Sequence, residues 1–307
     1  MILAVTPNPA LDVTYEIPRV RWHAASNRIR AVTRRAGGKG INVARVLHEL
    51  GEDVAIAGLL GGLPGAAARE DMARSGLRDE TVSIAGETRL TVFVVESSGE
   101  VTGLSEPGPQ ISRLEWKAMQ DRCASLLTRA SVMTLSGSLP PGAPADGLRR
   151  LIELAHDAGV PAILDSRDAA LRHGVAGAPA VVKVNEEELE GYAGGAPLRE
   201  AASRMRARGV GAVVVSRGVS GLVALTEEGN FAARPPRRLQ GNPTGAGDAA
   251  TAALAAGLKR GSRWPEMLAE AVALSAATVL HPLAGSFHAD AYRQLRGHIA
   301  VEQPEDL

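Results

Sequence analysis

Short apolar runs alternate with amphipathic stretches along most of this 307-residue chain. The apolar runs have the length of buried strands, and the stretches between them have the spacing of one-sided helices. Strands are predicted at Ile2–Thr6, Asp53–Leu59, Val132–Leu135, Ala162–Asp165, Ala180–Val184 and Ala212–Ser216. Helices are predicted at Ile41–Leu50, Arg113–Leu127, Gly147–Ala158 and Leu198–Arg208. The alternation predicts an α/β fold with a mostly parallel sheet, helices on both faces, and ligands at the carboxyl ends of the strands.

Two segments, at about 13–36 and 88–105, break this alternation. The second contains the apolar run Thr91–Val95 and a Ser-Ser-Gly turn, which together predict a hairpin with no covering helix. We interpret the two segments as a small β lid within a single domain spanning residues 1–307. Its outer face is a candidate homodimer surface. The helix predicted at Glu266–Leu280 and the tail after Asp290 should close the far edge of the main sheet.

The bulk composition narrows the classes of function. Lys and Arg together number 34, as do Asp and Glu, and this balance argues against nucleic acid or an anionic membrane as a partner. Cys123 is the single cysteine, so we expect no intrachain disulfide and a reducing, cytoplasmic compartment. We also expect no membrane span, because no apolar run reaches the necessary length.

A glycine-rich run, GNPTGAGDAATAALAAG, begins at Gly241. Within it, Gly245, Ala246 and Gly247 directly precede Asp248 at the start of a predicted helix. Free N–H groups at a helix start attract anions, and glycine lets the backbone approach a phosphate closely. A carboxylate there would oppose anion binding unless it took part in the chemistry. The run therefore indicates phosphoryl transfer to a hydroxyl with a built-in base, or alternatively a tight turn capped by Asp248.

A second glycine-rich loop, AGGKGIN at residues 36–42, opens the first predicted helix and places Lys39 in a close-approach turn. It is not a Walker A motif, because that motif needs Ser or Thr after the lysine and here Gly40 follows. The alternative is a plain glycine-rich connection.

The GGKGINVARVLHELG and PTGAGD segments resemble the two signatures of the phosphofructokinase B/ribokinase family of carbohydrate kinases. TPNPALD, GETR, SGSLPPG and KVNEEEL follow the family's order, so the resemblance covers nearly the whole chain. It implies a ribokinase-like three-layer α/β/α sandwich with a small β-sheet lid. TPNPALD, the lysine of GGKG and SGSLPPG resemble the branch that phosphorylates hexose phosphates. The implied reaction is ATP-dependent phosphorylation of fructose 1-phosphate, with tagatose 6-phosphate and fructose 6-phosphate as alternative substrates.

The resemblance also implies roles for single residues. Asp248 would be the catalytic base, while the N–H groups of Gly245, Ala246 and Gly247 would stabilise the transferring phosphoryl group. The residues implied to bind the sugar phosphate are Asp12, Arg28, Gly37, Gly38, Lys39, Asn42, Arg89 and Ser138. Among these, Arg28, Lys39 and Arg89 would hold the phosphate already on the sugar, a need that a kinase of neutral sugars does not have. Taken singly, these cations could be solvated surface residues, and Asp12 could form an Asx turn.

On the nucleotide side, the residues implied to bind ATP are Lys183, Asn185, Ser216, Gly218 and Gly221. Glu188 lies three residues after Asn185, hence on the same helix face, and would organise Mg²⁺ through water. The adenine pocket is expected near Leu280–Phe287. Three positions depart from the family pattern, namely Val184, Ala249 and Arg167, the last standing where many relatives have a small residue.

Other classes of function fit less well. An inactive sugar-phosphate sensor is the non-enzyme alternative, but the base, the anion-binding run and the N-x-x-E pattern are all intact. A hydrolase lacks support because Ser138 is not in a G-x-S-x-G elbow. A dehydrogenase lacks support because no G-x-G-x-x-G opens the first helix.

Overall fold

The computed structural model describes residues 1–304. The strands are β1 (Ile2–Thr6), β2 (Ala10–Ile17), β3 (Ala31–Gly37), β4 (Val54–Gly61), β5 (Arg78–Asp79), β6 (Val82–Ile84), β7 (Arg89–Glu96), β8 (Val101–Ser105), β9 (Val132–Ser136), β10 (Ala162–Asp165), β11 (Val181–Asn185), β12 (Ala212–Ser216), β13 (Leu222–Thr226), β14 (Gly229–Ala233) and β15 (Val301–Glu302). The helices are α1 (Lys39–Glu49), α2 (Gly62–Arg74), α3 (Arg113–Leu127), α4 (Gly147–Asp157), α5 (Asp168–Val175), α6 (Glu186–Ala193), α7 (Leu198–Arg206), α8 (Ala246–Arg260), α9 (Trp264–Val279) and α10 (Ala289–Arg296).

Eleven strands form the main sheet, in the order β15-β14-β13-β12-β11-β10-β9-β1-β4-β5, with β6 also paired to β4. Pairing is parallel from β5 through β12 and antiparallel from β12 to β15. This confirms the predicted, mostly parallel α/β sheet. The predicted strand and helix positions agree with the observed elements within a few residues. The tail after Asp290 contributes β15 to the sheet edge, as expected.

The side chains of β1 show why helices cover both faces. Ile2 and Ala4 are buried in a core shared with α1, α8 and α9. Leu3 and Val5 are buried in a second core, shared with α3, α4 and α7. Because consecutive residues of a strand point to opposite faces, a fully apolar strand needs a helical layer on each side. The result is the predicted three-layer α/β/α sandwich.

A separate four-stranded sheet, in the order β3-β2-β7-β8, forms the lid. The pairing of β7 with β8 is antiparallel, as predicted for the hairpin, and β2 pairs in parallel with β7. The lid begins earlier in the chain than expected, because β2 starts at Ala10 and includes Asp12. Asp12 therefore lies in a strand, which excludes the Asx turn that was its alternative interpretation.

The lid is fixed to the main sandwich by a buried carboxylate. Asp71 of α2 accepts hydrogen bonds from the backbone N of Ala36 at 2.8 Å and from the Arg45 guanidinium. These contacts join β3, α1 and α2 directly beside the glycine-rich loop. Within residues 1–304, no helix is long and apolar enough to cross a membrane.

Candidate active site

The start of α8 presents the predicted anion-binding run. Gly245 has a left-handed backbone with φ of 86°, and α8 begins at the next residue. Asp248 lies in the first turn and is 6% exposed, and within residues 1–304 its side chain makes no hydrogen bond to the backbone of α8. Its Oδ2 instead accepts a hydrogen bond from Asn42 Nδ2 at 2.8 Å. The two glycine-rich segments therefore meet, and the capping interpretation of Asp248 does not describe the contacts observed.

The surroundings of Asp248 make it a better base than an exposed aspartate. Burial and the negative charge of Asp165 raise the pKa of Asp248 to about 7, although Lys39 and the Asn42 hydrogen bond oppose the rise. A carboxylate with this pKa is partly ionised at neutral pH and holds a transferred proton more firmly than an ordinary aspartate does.

Asp165, at the end of β10, is the centre of a buried ionic network. Its Oδ1 accepts from Lys39 Nζ at 2.7 Å, and its Oδ2 accepts from Lys183 Nζ at 3.2 Å and Thr251 Oγ1 at 3.0 Å. Burial alone would raise the pKa of Asp165, but the two ammonium groups hold it below its ordinary value. The sequence analysis did not assign Asp165 or Thr251 to the site. The available signal was a charged residue at the carboxyl end of a predicted strand.

Asn185 and Glu188 form a reciprocal capping box at the start of α6. Asn185 Oδ1 accepts from the Glu188 backbone N at 2.7 Å, and Glu188 Oε2 accepts from the Asn185 backbone N at 2.9 Å. The second carboxylate oxygen, Oε1, accepts from Lys39 Nζ at 3.2 Å. Glu188 is therefore held in place by its own helix and connected to Asp165 through one lysine.

The donor set at this position suits Mg²⁺ only in part. Asp165 and Glu188 supply hard carboxylate oxygens, but within residues 1–304 no group of three or more acidic, histidine or cysteine side chains could hold a metal. Water and phosphate oxygens would have to complete the coordination.

On the lid side, Asp12 is enclosed by cations and by a glycine. It lies opposite Arg35 of β3 and Thr91 of β7 in the sheet register. Burial raises the pKa of Asp12 to about 6, while Arg89 and the Thr91 hydrogen bond lower it. A β-carbon at Gly37 would collide with the Asp12 carboxylate, so this position requires glycine.

Ser138 is connected to the lid through Asn8, which the sequence analysis did not assign. Asn8 Nδ2 donates to Ser138 Oγ at 3.1 Å, and the Asn8 carbonyl accepts from Arg89 Nε at 3.2 Å. Gly38, with φ of 95°, precedes α1 and lies against the Pro9 backbone. The loops after β1 and β9 therefore meet the first residue of β7.

The structure does not bring the three predicted phosphate-binding cations together. Arg89 is half-buried near Asp12, whereas Lys39 is engaged with Asp165 and Glu188. Arg28 is exposed in the loop between β2 and β3, in a hollow lined by Ile17–Arg21 and Ser26–Arg28. Arg35 is the unpredicted cation in this region, and its guanidinium donates to Ser286 Oγ at 3.3 Å.

A cavity of about 890 Å³ lies on the other side of the α8 start. Four of the predicted nucleotide-binding residues line it, namely Asn185, Ser216, Gly218 and Gly221. Lys183 lies against the first turn of α8, since a β-carbon at Gly247 would be 2.6 Å from its Nζ. Val272, Ala276 and Val279 of α9 form an apolar wall, and residues 238–241 also line the cavity. Residues 282–284, part of the segment expected near adenine, instead line a small cavity of about 30 Å³ beside Asp12 and Asn42.

The site contains a helix start suited to a phosphoryl group, a buried carboxylate beside it, and a cavity large enough for a nucleotide. Polar side chains lie on the opposite side, toward the lid. This combination defines a phosphotransferase that acts on an alcohol.

Comparison with known proteins agrees with that class. Residues 10–290 match the family described as pfkB family carbohydrate kinase. A 1-phosphofructokinase of Xanthomonas campestris pv. campestris is 39% identical over 267 residues, or 83% of each chain. Escherichia coli phosphofructokinase-2 in complex with potassium has a TM-score of 0.90 at 27% identity, covering 97% of this chain and 98% of that one. The tetrameric inhibited form of that enzyme has a TM-score of 0.89 at 28% identity, with the same coverage.

This chain belongs to the pfkB family of carbohydrate kinases. Its fold is ribokinase-like, and its activity is that of a phosphotransferase.

Replacing Asp165 with Asn should lower the free energy of unfolding by about 3 kcal/mol, because two ammonium groups would lose their shared buried counter-ion. Urea denaturation at pH 7 would measure the loss. The difference from wild type should shrink below about pH 4, where Asp165 of the unfolded chain becomes protonated. The matched control is Asp146→Asn, which removes a carboxylate paired with Arg149 and Arg150 at the surface. Equal losses of unfolding free energy in the two variants would show that the buried network stabilises the fold no more than a surface ion pair does.

Proposed function

We propose that this protein transfers the γ-phosphoryl group of ATP to fructose 1-phosphate, giving fructose 1,6-bisphosphate. The observation that carries the proposal is the buried Asp248 carboxylate, in the first turn of α8 and hydrogen-bonded to Asn42. The 39% identity to a 1-phosphofructokinase supports the choice of acceptor. Tagatose 6-phosphate and fructose 6-phosphate are the alternative acceptors.

In this reaction Asp248 accepts the proton of the attacking sugar hydroxyl as the new O–P bond forms and the bond to ADP breaks. The backbone N–H groups of Gly245, Ala246 and Gly247 stabilise the charge on the transferring phosphoryl group. Asn42 fixes the Asp248 carboxylate by donating to Oδ2, which leaves Oδ1 for the substrate. Positioning of the hydroxyl and the base supplies most of the rate enhancement.

Asn185, Ser216, Gly218 and Gly221 bind ATP in the 890 Å³ cavity, and Lys183 approaches its phosphates from below Gly247. Mg²⁺ would accompany the nucleotide, and Glu188 would contact it through water. When bound, the ion neutralises developing phosphate charge.

Asp12, Gly37, Gly38, Asn42 and Ser138 bind the sugar from the lid side and the adjoining loops, and Arg89 pairs with the phosphate it already carries. Lys39 and Arg28 are proposed for the same phosphate, although both would have to move toward it from their present positions. A sugar-phosphate sensor without catalysis is disfavoured, since Asp248 and the α8 start have the contacts that chemistry requires.

The lid is proposed as a homodimer surface. Val32 and Leu104, on its two edge strands, are 44% and 59% exposed, and Trp22 in the adjoining loop is 76% exposed. Apolar side chains exposed together on one sheet are typical of a protein–protein interface. A structure of E. coli phosphofructokinase-2 is described as tetrameric, which shows that a relative self-associates.

With a single cysteine and no need of an oxidising environment, the protein is proposed to act in the cytoplasm.

Replacing Asp248 with Asn should reduce kcat by about 10³-fold, the contribution expected of a general base, with little change in the dissociation constant of ATP. The same variant should have a raised Tm at pH 8, because it removes a buried charge that burial disfavours. Steady-state kinetics measures the change in kcat, and thermal unfolding measures the change in Tm. Asp121→Asn, which replaces an exposed aspartate, serves as the control. Retention of a tenth of the wild-type turnover would remove Asp248 as the base.

The rate should depend on pH in the neutral range. With the pKa of Asp248 raised to about 7, the base loses its charge as the pH falls through 7, so kcat/KM should decline below that pH. An aspartate with an ordinary pKa would keep the rate constant down to about pH 4. The profile is measured from pH 5 to 9 with fructose 1-phosphate. A flat profile between pH 5 and 7 would contradict the assignment.

The acceptor is tested by ATP consumption with fructose 1-phosphate, fructose 6-phosphate, tagatose 6-phosphate and free fructose. Fructose 1-phosphate should give the highest kcat/KM. In the Arg89→Ala variant, the KM of the sugar phosphate should rise by about tenfold while the KM of ATP stays unchanged, because a charge-assisted contact is lost. A better rate with free fructose would show that no phosphate is recognised.

A further inference from the structure

Arg167 stands at the carboxyl end of β10, where ligands bind in sheets of this kind. It has no role in the reaction as proposed so far. Its backbone is extended, with φ of −140° and ψ of 170°, and α5 begins at the next residue. That residue, Asp168, has a left-handed φ of 54°, which is unusual for a residue other than glycine. The chain therefore turns sharply just after presenting the Arg167 side chain.

A series of hydrogen bonds places Arg167 beside the sugar side of the site. Ser166 Oγ donates to the Gly137 carbonyl at 2.9 Å, which joins the loops after β10 and β9. The next residue, Ser138, accepts from Asn8, whose carbonyl accepts from Arg89. Arg167 and Arg89 therefore border the same group of loops, one from the main sheet and the other from the lid.

The two guanidinium groups act on each other electrostatically. Burial lowers the pKa of Arg89, Asp12 and Glu106 oppose this, and the positive charge of Arg167 lowers that pKa further. Like charges held near one another are unfavourable unless an anion can lie between them. An arginine pair with an open side is a typical arrangement for binding phosphate.

Arg167 is free to bind such an anion. Its ion pair within residues 1–304 is with the neighbouring Asp168, from Nε at 3.6 Å, and both side chains are mostly exposed. Exposed pairs of this kind contribute little energy. In the same part of the structure, neither Nη atom of Arg167 makes a hydrogen bond, so the outer edge of the guanidinium can take a bidentate ligand.

We propose that Arg167 and Arg89 together bind the phosphate group that the sugar substrate carries before the reaction, which makes Arg167 a specificity-determining residue. This inference rests on the proposed function, because it assumes that the acceptor is a sugar phosphate. It adds Arg167 to the expected grouping of Arg28, Lys39 and Arg89, and it places the phosphate between two arginines that face each other across the lid boundary.

The test compares Arg167→Ala with wild type on fructose 1-phosphate, free fructose and ATP. The KM of fructose 1-phosphate should rise about tenfold, while kcat and the KM of ATP change less than twofold. Turnover of free fructose at high concentration should be unaffected, since free fructose has no phosphate group for Arg167 to contact. Arg167→Lys should restore part of the affinity. Arg172→Ala, which removes an exposed arginine five residues along α5, should behave as wild type.

Inorganic phosphate provides a readout that does not depend on turnover. It should compete with fructose 1-phosphate in wild type, and its inhibition constant should rise about tenfold in Arg167→Ala. An unchanged KM and an unchanged inhibition constant would overturn the role of Arg167, as would an equal rise in the KM of ATP. If wild type prefers another hexose phosphate, fructose 1-phosphate is the wrong acceptor. The KM and the inhibition constant of phosphate are then compared between wild type and Arg167→Ala with the preferred substrate, and they test the role of Arg167 in the same way. If wild type phosphorylates only neutral sugars, both proposals fail.

Discussion

The rest of the site depends on the buried carboxylate of Asp165. It joins the start of α1 through Lys39, the strand β11 through Lys183, and the helix α8 through Thr251. Asp165 and Lys183 are almost fully buried and Lys39 is partly exposed. Removing charged groups from water is costly, and only close pairing makes the arrangement stable. This cost fixes the relative position of the two helix starts that hold Asn42 and Asp248. The network that stabilises the fold therefore also aligns the proposed base.

The same charge also tunes reactivity. Asp165 stays ionised because two ammonium groups face it. Its negative charge then helps to raise the pKa of Asp248. Asp165, Glu188 and Asp248 bring three negative charges to a region in which Lys39 and Lys183 bring two positive ones. A nucleoside triphosphate bound in this region would add further negative charge, and these residues do not supply enough positive charge to balance it. The proposed Mg²⁺ requirement follows from this balance.

The sequence allowed the main sheet and the two glycine-rich loops to be predicted, because both depend on local patterns of apolar residues and glycine. It did not reveal the hairpin of β13 and β14, which follows β12 without an intervening α-helix. Contacts between distant residues were harder still. Asp165 meets Lys39 across 126 positions of the chain, and nothing in the local pattern of either segment indicates the other. The position of Arg28 has a related cause, because it lies in the long loop between β2 and β3 and its distance from Arg89 cannot be read from the local sequence.

The two sides of the site differ in how open they are. The nucleotide cavity measures about 890 Å³, whereas the cavity beside Asp12 and Asn42 measures about 30 Å³. Small-molecule sites have volumes of roughly 300–1,000 Å³, and the nucleotide cavity lies in that range. Asp12 lies on the lid, because it belongs to β2. Arg89 also lies on the lid, whereas Arg167 lies on the main sheet. A phosphate held between these two arginines would therefore link the lid to the main sandwich, and so would link the proposed sugar-binding Asp12 to the part of the fold that carries the proposed base Asp248.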